Sequence, residues 1–183
     1  FDIVSRLTGK IVGPGPLPPS THEFNHDIKK LALAVAKEGC VDETLSAFAA
    51  ALEVDHITAV MDDGVQDSLY SGIDHETLTF IKEQLVIIAM DESNHSSLSW
   101  RTLQWICSVD IDACDAVQNE VFEKSKLETR FEYRAGGSFG EISNVLDSMK
   151  DMWMVIHGDI KDTEDADHSL LTTVTDNVIR QLA

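Results

Sequence analysis

The chain has 183 residues, 43% of them hydrophobic, and sets 32 acidic against 14 basic residues for a formal charge of −18. That length and apolar content suit one domain with its own core, whereas a surface this negative repels nucleic-acid phosphates and anionic lipid, so direct binding to either is disfavoured. No long uninterrupted apolar run occurs, since "LVIIAM" at 85–90 is bounded by Gln84 and Asp91, and no membrane span is expected.

Residues 1–19 read differently from the rest. "FDIVSRLTGK" has neither a basic n-region nor an apolar h-region, so no signal peptide is expected over these residues. "IVGPGPLPPS" then holds all four prolines, which fix φ and remove backbone donors. An extended N-terminal arm is predicted. Its apolar residues Phe1, Ile3, Val4, Leu7, Ile11, Val12 and Leu17 are costly to leave in water, so it is expected to dock on a neighbouring subunit, a partner protein or its own core.

From Ser20 to the end the spacing predicts a single acidic helical domain. Phe24, Ile28, Leu31 and Val35 step at helical intervals, and Gly39 reads as a C-terminal stop. A second helix over about 42–53 carries Leu45, Phe48, Ala49 and Leu52, and helical turns around Ile57, Val60 and Met61 end at Gly64. Asp74 is placed to cap a helix with Leu78, Ile81, Leu85 and Ile88 as its stripe. After a Ser-rich start at 93–99, Leu98, Thr102, Trp105, Ile106 and Val109 predict another, followed by one around Cys114, Val117 and Val121.

Ser138 and Glu141 form an S-x-x-E capping box for a helix with Ile142, Val145, Leu146, Met149, Trp153 and Ile156 on one face and Gly158 as its end. Met152, Trp153 and Met154 are consecutive and cannot all point inward, so some of this apolar mass must reach a second surface. A last helix carries Leu171, Val174, Val178 and Leu182. Between these, 127–134 alternates apolar and charged residues, which reads either as a short half-buried strand including Phe131 and Tyr133 or as a helical continuation. The fold class is therefore all-α, a bundle of about seven or eight helices with an N-terminal arm and room for one short strand.

Three cysteines, Cys40, Cys107 and Cys114, form no C-x-x-C pair, which argues against a disulfide framework and fits a reducing, cytoplasmic compartment. They read as small buried hydrophobes. "MDDG" at 61–64 lacks the alternating oxygen ligands of a calcium loop. "RAGGSFGE" has glycines but no P-loop lysine, and "IDHETL" and "DADHSL" read as capped helix starts.

One motif carries chemistry. His22, Glu23 and His26 form His-Glu-x-x-His, which on a helix sets two imidazoles one turn apart for zinc and a carboxylate beside the metal-bound water. These five residues resemble the core of the zinc metalloproteases. That resemblance implies His22 and His26 as ligands, Glu23 as general base and, from "DETLSA", Glu43 as a third ligand in the manner of the gluzincin branch. The chain departs from the family pattern: Asn25 and Asp27 stand where apolar residues are usual, Lys29 and Ala32 replace the metzincin Gly and His, and Pro18 and Pro19 stand just before the motif, which a substrate-aligning sheet normally precedes. Ser20 with Glu23 is itself a capping box, which explains the same residues without a metal.

The preferred expectation is a non-catalytic, oligomeric interaction or self-assembly module with no cofactor, in the style of viral or phage structural subunits that join an arm to a helical core. The rival is a zinc-dependent hydrolase at 22–26.

Overall fold

Asp27 opens the first long helical run in a computed structural model that describes residues 1–13, 27–63, 70–123 and 139–162. The described residues are 88% helical and contain no strand. Six α-helices are described: α1 (Asp2–Thr8), α2 (Ile28–Ala34), α3 (Glu43–Asp63), α4 (His75–Val109), α5 (Ile111–Val117) and α6 (Phe139–Asp162), with π-helical segments at Val35–Asp42 and Gln118–Phe122.

Residues 2–8, expected to be extended, are helical. The prolines that argued against helix begin at Pro14, beyond α1, and Gly9 ends α1 in the left-handed conformation at φ 65° that favours glycine. Ser5 Oγ then accepts from Val12 N at 2.8 Å and folds the following residues back onto the helix. Leu17, the Pro-rich stretch after Gly13 and the candidate strand at 127–134 lie outside the described residues.

The helix expected from Ser20 starts later. Asp27 is extended, at φ −98° and ψ 96°, and its side chain accepts from Lys30 N, so α2 begins at Ile28. It does not stop at Gly39. The backbone runs on through the first π segment, where Glu43 N bonds Glu38 O in the i→i−5 pattern, directly into α3. Gly39 serves a different purpose from a stop. A Cβ there would lie 2.2 Å from Ser99 Oγ and 2.5 Å from Ser99 Cβ, so the glycine lets α4 approach the π segment closely.

The run Ile28–Asp62 reaches a mean hydropathy of 1.2 over an 18-residue window, enough by length and composition alone to cross a membrane. Of its apolar residues, Ala32, Ala36, Cys40, Val41, Ala47, Ala51, Val54 and Ile57 are buried within the chain, and 39% of that window is buried in all.

The predicted break near 93–99 is absent, and α4 is one helix of 35 residues. Its Ser-rich middle is a contact surface. Ser93 and Ser96 are buried, and Ser99 is the side chain that the glycine at 39 admits. The Ser96 and Thr44 hydroxyls are 2.5 Å apart, Thr44 donates to Cys40 O, and Trp100 Nε1 donates to Thr44 Oγ1 at 3.4 Å. Buried polar atoms on three neighbouring turns thereby satisfy one another. Asp74 caps α4 as the sequence predicts, accepting from Thr77 N at 2.8 Å, and this bond with that from the Thr77 hydroxyl holds its carboxyl below the ordinary 3.8.

The main core joins α2, the π segments, α4, α5 and α6 around Trp100, Leu103, Ile106, Met149, Trp153 and Ile156. Phe122 stacks on Trp153 with centroids 4.7 Å apart and lies 5.6 Å from Trp100, while Trp153 Nε1 donates to Gln118 Oε1. Helix α6 continues through Gly158, where the sequence placed its end. A smaller core beside it holds Ile57, Tyr70, Leu78 and Ile81, with Ile3 of α1 packed against it. Tyr70 OH donates to Glu53 Oε1.

Candidate functional site

The arm residues differ in exposure. Ile3 turns inward against the smaller core, and Arg6 bonds Glu76 Oε1 at 2.7 Å while its guanidinium lies 4.8 Å from the Phe80 ring centroid. This exposed ion pair with a cation–π contact contributes on the order of 1 kcal/mol, so the seating of α1 on α4 depends mainly on Ile3. Phe1, Val4, Leu7 and Ile11 are exposed, and Val12 is half-buried. The described part of the arm therefore docks on its own chain through Ile3 and leaves other apolar side chains in solvent.

The larger exposed surface lies on α4. The sequence grouped Leu98, Trp105 and Val109 with Ile106 in one helical pattern, yet of these four only Ile106 is buried. Leu98 is 64% exposed and Trp105 58%. With Ile87, Met90 and Val109, also exposed, they fall within an arc of about 100° at helical spacing. The stripe runs for about 33 Å from Ile87 to Val109 at the rise of an α-helix.

A signal for this face was present in the sequence. Trp100 and Trp105 lie roughly 140° apart around a helix, so one of them had to turn away from a core built on the other. On α6, Met154 is exposed beside buried Met152 and Trp153.

Of the candidate metal ligands, Glu43 is described and His22, Glu23 and His26 lie outside the described residues, as do Phe131 and Tyr133. Glu43 opens α3, and its carboxylate comes together with Glu92 and His95 of α4, their ligand atoms within 4.8 Å of one another. His95 Nδ1 is 3.9 Å from Glu43 Oε2, and its Nε2 is 3.7 Å from Asp91 Oδ1. A carboxylate pair with one imidazole is a donor set open to a borderline divalent cation. Here it lies near solvent, with His95 and Asp91 exposed, and the imidazole already paired with carboxylates on both sides accounts for the arrangement without an ion.

The three thiols converge in the main core from the first π segment, α4 and α5. Asp110 breaks the helix between α4 and α5, its side chain accepting from Ala113 N, yet Cys107 and Cys114 still meet. A hydrogen bond with Cys114, then burial, pushes the Cys107 thiol well above its ordinary range, and burial alone does the same for Cys40. Both are protonated and unreactive at neutral pH, consistent with packing.

No protein-family model matches this chain, and neither the curated proteins nor the solved structures yield a match.

Proposed function

We propose that the chain is a non-catalytic helical module for protein interaction and self-assembly, a structural subunit in the manner of viral or phage proteins, with the N-terminal arm contacting a neighbouring subunit. The observation that carries this proposal is the amount of apolar surface left in water on so acidic a protein: Phe1, Val4, Leu7 and Ile11 on one side, and the outer stripe of α4 on the other. Contiguous exposed apolar surface of this kind marks contact sites.

The net charge of −18 disfavours phosphate backbones as the contact, which leaves protein as the partner class. Ile28–Asp62 is taken as a core helix because its buried side chains already have partners within the chain. The count of seven or eight helices and the strand near 127–134 remain part of this proposal.

Sedimentation of the full chain tests it. The expected mass exceeds the 20.2 kDa of one copy and falls when Val4 and Leu7 are replaced by Glu, a change that spares Ile3 and Arg6 and so keeps α1 seated. A single-copy mass at all concentrations, unchanged by those substitutions, would count against self-assembly. The rival zinc hydrolase is tested by metal content: about one zinc per chain that disappears in His22→Ala would displace the interaction module as the leading function.

A further inference from the structure

We infer that Glu43, Glu92 and His95 form a site for one borderline divalent cation, zinc or a neighbouring first-row metal, that ties the start of α3 to the middle of α4. The inference stands apart from the assembly proposal, and its site shares Glu43 but neither histidine with the alternative at 22–26.

The backbone supplies the first argument. Glu43 follows the first π segment, its N–H bonding Glu38 O five residues back, and a π turn re-aims the helix beyond it, a distortion frequent at functional sites. Thr44, directly after Glu43, is buried, and its hydroxyl is 2.5 Å from that of Ser96, directly after His95. A buried hydroxyl pair thus fixes the register of the two helices one residue beyond each ligand, and Glu43 and His95 meet across a rigid contact. On α4, His95 stands three residues from Glu92 and four from Asp91 and shares a helix face with both.

The donor atoms supply the second. Those of Glu43, Glu92 and His95 lie within 4.8 Å of one another. His95 Nδ1 is 3.9 Å from Glu43 Oε2, too long for a hydrogen bond. Ligands about 2.1 Å from one zinc ion stand about 3–3.5 Å apart, so small side-chain rotations close the set on a cation. Asp91 Oδ1 faces the other ring nitrogen, Nε2, at 3.7 Å. A neutral imidazole then turns its N–H toward Asp91 and the Nδ1 lone pair toward Glu43, the order in which an outer carboxylate sets the tautomer of a metal-bound histidine. That lone pair and the carboxylate repel one another unless a cation lies between them. A charged imidazole pairs with both acids by itself and is the competing account.

Two carboxylates and one imidazole suit zinc, manganese or iron(II) better than magnesium or calcium, which take oxygen donors. The His95 side chain is 55% exposed and that of Glu43 33%, so water completes the coordination. Lys37, in the π segment before Glu43, pairs with Glu120 instead.

Calorimetric titration of the chelator-treated full chain with zinc chloride tests the site, in excess magnesium to occupy the diffuse acidic surface. About one zinc per chain should bind, and the melting temperature should rise with it. His95→Ala should lose both effects, and Glu92→Gln and Asp91→Asn should each weaken binding by about tenfold or more. His22→Ala with His26→Ala should leave it unchanged; Glu43 belongs to both ligand sets and does not discriminate. Circular dichroism checks that each variant is folded. Binding that survives in His95→Ala, or that vanishes when His22 and His26 are replaced, overturns this ligand set. A titration with no saturable binding overturns the site and leaves the charged imidazole as the account of the arrangement. Neither result touches self-assembly.

Discussion

On α4, Trp100 is 1% exposed and donates its indole N–H to Thr44, while Trp105, five residues on, is 58% exposed. Both belong to helical stripes of comparable apolar content: Trp100 with Leu103 and Cys107, Trp105 with Leu98 and Val109. What separates the two faces is the small and polar residues around them. The inner stripe alternates with Ser93 and Ser96, both buried, and the Ser96 hydroxyl lies 2.5 Å from that of Thr44, the acceptor that the buried Trp100 indole requires. The outer stripe alternates with Asn94 and Arg101, which remain exposed.

The largest effect expected from this contrast is Trp100→Ala. The side chain fills the main core beside Phe122, and its loss should cost about 3–5 kcal/mol, a large share of a stability that is about 5–15 kcal/mol for a typical domain. Urea denaturation at low protein concentration measures it. A loss below about 1 kcal/mol would mean that the inner face does not hold the core.

Gly39→Ala comes next and has a sign worth deciding. Helix propensity favours alanine by roughly 0.5–1 kcal/mol. Against that, the new Cβ would fall 2.5 Å from Ser99 Cβ, an approach that only movement of α4 away from the π segment relieves. Overpacking of this kind costs about 1–3 kcal/mol, so net destabilisation is expected. Ser99→Gly in the same chain should restore part of it, because it removes both crowding atoms; Ser99→Ala, which keeps the Cβ, should restore less. Equal rescue by the two would sink the account of Gly39 as a close-approach residue.

That glycine also shows where the sequence was readable and where it was not. Local signals held where the physics is local: Asp74 caps α4 through Thr77, and Trp153 and Ile156 face the core as their spacing predicts. Gly39 has two meanings in a helical pattern, a stop or a small surface for a neighbour, and only the position of Ser99 on another helix distinguishes them. The serines at 93–99 were ambiguous for the same reason, since a run of small polar residues serves equally as a helix start or as a close helix contact. The hydrophobic period found the outer stripe of α4 but could not say that it faces water. In the arm, the prolines governed the expectation for residues they do not reach, and α1 formed ahead of them. Glu43 was singled out for a site with His22 and His26, while its partners Glu92 and His95 stand about fifty residues further along and share no sequence spacing with it.

Thr44→Val isolates the polar half of the inner face. Valine keeps the shape and removes the oxygen that Trp100 Nε1 and Ser96 both approach, leaving buried polar groups without that partner. A cost of about 1–3 kcal/mol is expected. Trp100→Phe, which removes the indole N–H, should make the Thr44→Val penalty smaller in a double-mutant cycle. Additive losses would show that the hydroxyl and the indole are not coupled.

Trp105→Ala should have the smallest effect, and its interest lies in when that effect appears. In dilute solution an exposed side chain on the outer face contributes within about 0.5 kcal/mol to the stability of one copy, so the variant and the unaltered chain should unfold together. If the stripe is covered by a second copy, the unaltered chain gains stability as its concentration rises, because association draws on the folded state alone. Trp105→Ala should gain much less over the same range. The two tryptophans would then differ in kind: Trp100→Ala lowers stability equally at every concentration, and Trp105→Ala only where copies meet. A concentration-independent loss at Trp105 as large as that at Trp100 would place both residues in the core and remove the contrast between the faces.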